Sequence, residues 1–275
     1  MTNFDIHRFG RTFVWNLRMT RKEMLTNAAA MTFAFLVPFI IHILSSIKTP
    51  AAHIPGSLEA ATQVNILIYS IFIVVGGGFI FKNMKTKEQR ITFKMLPATD
   101  LEKYVVRVLY VTVMWWILGI AAFVLADLLQ MFVSLLAGIG YAGSASPRFF
   151  SVLFGSEDIN ITITGSGGDS LYAAFVTALC AWSFWAYSLY ILGGALFRRR
   201  QIVLTTLAHF IIGTALTPVF ISFVDKTDGE SARLAATGSA WAAAVVFTAV
   251  ALLNWWLSYR IFRRMQVINN KWLNI

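Results

Sequence analysis

Six apolar segments, residues 28–47, 64–81, 104–126, 171–197, 202–223 and 236–262, dominate this chain. Each is long enough to cross the ~30 Å hydrocarbon core of a bilayer, which takes about 20 helical residues. Inside hydrocarbon a backbone must satisfy its own polar groups, so segments of this length cross as helices. Composition agrees: 57% of residues are hydrophobic and 13% are charged, where a soluble domain has about half and about a quarter. The expected fold is therefore all-α, a polytopic membrane protein with six transmembrane helices. The first apolar run begins behind charged, amphipathic sequence and lacks a small-residue cleavage site. It reads as a permanent span rather than a cleaved signal peptide.

Charge sets the expected orientation. With the N-terminus inside, the inner segments hold 19 Lys and Arg against four outside, while acidic residues number five inside and eight outside. Every loop obeys the positive-inside rule, which places both termini in the cytoplasm. The net charge of +10 is thus a topology signal, and a nucleic-acid partner is not expected. Trp255 and Trp256, one to two turns before Arg260, Arg263 and Arg264, fit an inner aromatic belt. A multi-pass protein of the cell (inner) membrane is the resulting expectation.

The chain divides into an N-terminal stretch 1–27, a six-span domain 28–263 and a cytoplasmic tail 264–275. In the first, Ile6, Phe9, Phe13 and Leu17 fall at helical spacing, with Arg8, Arg11 and Arg18 off that stripe. This predicts an interfacial amphipathic helix, with Phe9, Phe13 and Trp15 in the acyl boundary and Arg11 and Arg18 toward anionic lipid headgroups. A simple anchor for the first span is the alternative. In the second segment Gly76-Gly77-Gly78 predicts either a close helix–helix contact or a local break. The third apolar stretch runs on to Leu136, and Asp127 and Gln130 suggest that its span ends there, before an interfacial or protruding helix. The outer loop 137–170 is too short for a core of its own and is expected to cap the spans. Its alternating stretch 159–164 could make a hairpin arm.

Candidate chemistry is sparse. The single cysteine, Cys180, excludes an intrachain disulfide and a cysteine-based zinc site, and its apolar setting suits a buried or lipid-facing residue. No Walker-type phosphate loop occurs. The histidines, His7, His42, His53 and His209, show no metal-ligand spacing. His42 and His209 lie in or near spans, where ionisable groups are suspects by default, and structural hydrogen bonding is the favoured role for both. No catalytic, cofactor or metal residue is assigned. The chain is expected not to be an enzyme.

The cytoplasmic loop 82–103 carries the most specific signal. Pro97 stops any helix arriving from its N-terminal side and biases Ala98 to extended geometry. Thr99-Asp100-Leu101-Glu102 then fits a capping box that opens the third span. Before it, Lys82, Lys85, Lys87, Arg90 and Lys94 could meet an acidic groove, while Phe93, Met95 and Leu96 could fill one. An ordinary positive-inside loop with a good cap is the plain alternative.

The basic loop, the turn Leu96-Pro97-Ala98-Thr99 and the pair Glu102-Lys103 resemble the permease subunits of ABC-2 type ABC transporters, of the compact six-span bacterial kind. The resemblance covers best the N-terminal stretch and first three spans. It implies a permease, by expectation an exporter, powered by a separate cytoplasmic ABC ATPase subunit and working as a homodimer or paired permease. It implies ATPase coupling at Lys94, Leu96, Pro97, Thr99, Glu102 and Lys103, framed by the interfacial residues Phe9, Arg11, Phe13, Trp15 and Arg18. One departure is clear: members of that family often carry a re-entrant outer element between spans five and six, whereas the long outer insertion here follows span three. Two competing readings are a substrate-capture or sensory membrane protein using loop 137–170, and a membrane-embedded hydrolase depending on His42 or His209.

Overall fold

A computed structural model describes residues 4–47, 53–84, 86–139, 143–155, 168–197, 200–224 and 230–265. The helices are α1 Ile6–Ser46, α2 Ile54–Gly76, α3 Lys87–Lys94, α4 Asp100–Leu109, α5 Trp115–Leu136, α6 Ser146–Leu153, α7 Gly168–Leu196, α8 Gln201–Val224 and α9 Glu230–Arg264. A 3-10 turn, Gly77–Phe79, follows α2, and a π-helical turn, Tyr110–Met114, joins α4 to α5. The protein is all-helical among the described residues. Among the described residues five stretches are long and apolar enough to cross a membrane: Ile6–Ser46, Ile54–Phe79, Asp100–Leu136, Leu171–Leu196 and Leu234–Arg264. Segment 202–223 falls on α8, whose apolar part within the described residues is shorter, Gln201–Leu216.

The N-terminal stretch 1–27 is not a separate helix. α1 runs unbroken for 41 residues, about 60 Å at helical rise, because no Gly or Pro stands between Gly10 and Pro38. The expected lipid-facing stripe, Ile6, Phe9, Phe13 and Leu17, is exposed or half-buried. The line α1 buries is polar, Thr12, Asn16 and Thr20, while Ile6 is exposed. The hydroxyls of Thr12 and Thr20 donate to the carbonyls four residues earlier, which lets polar side chains be buried without losing a hydrogen bond. Phe9, Phe13 and Trp15 are half-buried, and Arg11 and Arg18 exposed.

The chain forms two compact units. The first comprises Met1–Phe13, Val74–Val111 and Ile161–Ile275. In it α7 packs along α9, with Trp182, Trp185 and Phe247 at the seam and Asn254 donating to Ser188 (3.0 Å). Both expectations for the triple glycine are met there. The helix tightens into the 3-10 turn at Gly77, and backbones meet closely, a Cβ on Gly194 lying 2.7 Å from the Gly78 carbonyl oxygen. Gly194→Ala is therefore expected to destabilise by about 1–3 kcal/mol through overpacking. Thermal unfolding in detergent measures this. Gly213→Ala, where a Cβ meets nothing within 4 Å, is the control.

The second unit comprises Val14–Ile73 and Thr112–Asn160. Phe35 meets Phe72 and Phe123 edge-on, and Trp115 donates its indole N–H to the Phe72 carbonyl (2.8 Å). α5 continues past Asp127 and Gln130 to Leu136, so the helix expected beyond them is an unbroken extension of the same element. Residues 143–155 of the loop 137–170 fold back along α5 within this unit. α6 starts at Asp127, stacks Phe149 on Phe123 and sets Phe154 edge-on to Trp116. Those contacts step backwards along α5, so α6 runs antiparallel to it and reaches a level 20 residues, about 30 Å, short of Leu136. The reason is chemical: α6 settles where the Phe149 ring can be buried and its N-terminal amides can also be satisfied. The expected hairpin arm at 159–164 lies outside the described residues.

Candidate functional site

The α3–α4 elbow is built from local signals. Thr86 and Gln89 form a capping box at the start of α3, and Thr99 and Glu102 form another at the start of α4. The second was legible in the sequence; the first was not singled out. Between them α3 ends at Lys94, and Leu96 and Ala98 make tight backbone turns ahead of the α4 cap. Glu88, in the first turn of α3, is held below the usual carboxylate range by hydrogen bonds from its own backbone N–H and the Thr86 side chain. It therefore stays ionised beside the positive end of that helix.

Glu102 does more than cap. Its side chain is fully buried and accepts from the backbone N–H of Thr99 (2.8 Å) and of Asp5 (2.9 Å), and from Arg8 through Nε (2.8 Å) and Nη2 (2.6 Å). A bidentate guanidinium–carboxylate pair of this kind fixes orientation as well as charge. Lys103 is buried and donates to the Lys94 carbonyl (2.7 Å). Lys94 in turn reaches the Phe262 carbonyl (3.2 Å) and Asp100 (3.4 Å), its ammonium 4.4 Å from the centre of the Phe262 ring. Phe262 stacks on Phe81 and meets Phe93 edge-on. Two turns into α4, the fully buried Arg107 donates to the carbonyls of Ile80 (2.6 Å) and Phe79 (3.2 Å), its guanidinium 4.9 Å from the centre of the Tyr110 ring.

These contacts change the expected coupling surface. Of the residues assigned to coupling, Lys94, Glu102 and Lys103 face inward and hold the elbow to the N-terminus and to the end of α9. Arg90 and Phe93, expected to meet a partner, are buried too, and Lys85 lies outside the described residues. What faces outward is smaller and apolar. Met95 is 78% exposed, Leu101 44% and Ile91 37%. Pro97 is exposed and Leu96 and Thr99 half-buried, with Lys87, Gln89 and Thr92 alongside. Asp5, Arg8 and Phe262 were missed because nothing in local spacing pairs residues 94 to 168 positions apart. Arg107 carried a signal, since a cation one turn inside an apolar segment demands partners.

His42 and His209 divide. His42 Nδ1 lies 2.8 Å from the Ser57 hydroxyl, clasping α1 to α2, so the chain does bring a Ser–His pair together. The Ser57 hydroxyl also donates to the Ile54 carbonyl, and buried His42 Nε2 meets no orienting acid among the described residues. That pair lacks the third group that aims a base in nucleophilic catalysis. His209 packs against Trp182, Trp185 and Tyr190. Cys180 is exposed, and among the described residues no three His, Cys, Asp or Glu side chains cluster as metal ligands would.

The chain matches no protein-family model, no curated protein and no solved structure.

Proposed function

We propose that this protein is the permease subunit of an ABC-2 type exporter of the inner membrane. In this reading it has six spans, both termini in the cytoplasm, and a pairing with itself or a similar permease. A separate cytoplasmic ATPase docks on the α3–α4 elbow. The observation that supports this most is the elbow's division of labour: an exposed apolar tip of Ile91, Met95 and Leu101 on a base fixed by buried charges. A push on that tip passes through Glu102 to Arg8, through Phe93 to Phe262, and through Arg107 to the end of α2. Exposed Arg11 and Arg18 on α1 suit anionic headgroups. The substrate-capture alternative rests on loop 137–170, of which residues 144–154 are held to α5 through Asp127 and Phe123.

Co-purification with the ATPase encoded beside this chain tests the proposal. Met95→Asp with Leu101→Asp places charge on the tip while leaving every buried contact in place. It is expected to weaken association at least tenfold, about 1.4 kcal/mol, with an unchanged melting temperature. If no ATPase associates, or the charged tip binds as well as the native one, this function is wrong.

A further inference from the structure

Asp127 is 2% exposed in the middle of an apolar helix, and the structure records no ion pair for it among the described residues. It is satisfied by the start of α6 instead. The hydroxyls of Ser144 (2.7 Å) and Ser146 (2.6 Å) and the backbone N–H groups of Ala145 (2.9 Å) and Ser146 (3.0 Å) all donate to its carboxylate. Beyond this head α6 is a hydrophobic wedge. Phe149, 1% exposed, stacks on Phe123 at 3.9 Å and meets Tyr69 edge-on at 5.2 Å, and Phe154 meets Trp116 edge-on at 6.3 Å. Gly155, at φ 65°, then ends the helix.

We propose that α6 is a displaceable plug in a groove of the second unit, and that the groove binds long-chain amphiphiles with a cationic, hydrogen-bond-donating head. The chemistry follows from what α6 supplies: donors to a buried carboxylate at one end and apolar bulk against Tyr69, Trp116 and Phe123 below. A carboxylate held only by neutral donors in a low-dielectric setting is better satisfied by a cation that also donates. An alkylammonium head reproduces the amide and hydroxyl donors and adds the charge. Its hydrocarbon tail replaces the phenyl rings. The inference stands on α6 and Asp127 alone and does not depend on the transporter reading.

The test places a reporter cysteine on α6, Phe149→Cys or the smaller change Ala145→Cys, in a Cys180→Ala background. The full chain sits in lipid nanodiscs, and the rate of labelling by a water-soluble maleimide is followed. Labelling is expected to be slow, and at least tenfold faster when Asp127→Ala removes the seat. Ser144→Ala with Ser146→Ala, which keeps the carboxylate but removes two donors, should give an intermediate rate. Dodecylamine should accelerate labelling at least tenfold with Asp127 present and have no further effect on Asp127→Ala. Dodecanoic acid and dodecanol at the same concentration should not. Equal acceleration by all three amphiphiles, or none by dodecylamine, overturns the binding site. Fast labelling with Asp127 intact, or slow labelling in Asp127→Ala, overturns the plug itself.

Discussion

Arg107→Met is expected to leave little folded protein. The side chain it removes is the largest of the fully buried ones. α2 tightens into the 3-10 turn at Gly77–Phe79, and the last carbonyls of a helix have no partner within it. Arg107 supplies those partners, through Nε to Ile80 and Nη2 to Phe79, and sets its charge against the negative end of the helix. Methionine keeps the bulk but takes away the donors. Each carbonyl left buried and unpaired costs about 1–3 kcal/mol, against a total stability of about 5–15 kcal/mol for a typical domain. Lysine keeps the charge but loses the planar fork, so Arg107→Lys should fall between. Fluorescence-detected size-exclusion and thermal unfolding in detergent measure both. An Arg107→Met protein that is monodisperse and melts with the native one would sink this account.

Glu102→Ala is expected to release the elbow from the N-terminus. It takes the acceptor from the backbone N–H groups of Asp5 and Thr99, and leaves Arg8 without its bidentate partner. Arg8→Met alone is milder, because Glu102 keeps the two backbone donors. Combined, the substitutions should destabilise no more than Glu102→Ala alone, since both remove the same pair. Melting temperatures of the four proteins close this cycle. Strictly additive losses would show that Arg8 and Glu102 act independently, contrary to the geometry. Protease sensitivity at residues 1–13 should rise in both Glu102 variants.

The elbow shows how far local reading reached. Thr99 and Glu102 were legible as a capping box because both partners stand within four residues and the pattern is fixed by helix geometry. The same pattern could not reveal that Glu102 has spare acceptor capacity and that Arg8 fills it. Lys94 and Lys103 read as a basic surface because lysines in a polar loop usually are solvated. Here the carbonyls of Lys94 and Phe262, and the Phe262 ring, draw them inward. Asp127 carried a signal of polarity in the sequence, because a carboxylate in hydrocarbon is costly alone, but no signal of its partners. It is not alone, for α6 folds back 17 to 19 residues later in the chain to supply its donors.

Helical content and five of the six expected crossing lengths were determined by the sequence itself, because backbone satisfaction in hydrocarbon depends only on segment length and polarity. Caps and helix starts were determined too, since their partners are neighbours in the chain. The tertiary structure decided which charges face inward, which leaves Met95, Leu101 and Ile91 rather than the lysines as the elbow's exposed tip. It also decided that α6 lies along α5. Both depend on pairing groups far apart in sequence, and a buried ion or amide takes whichever partner the packing brings within hydrogen-bond reach.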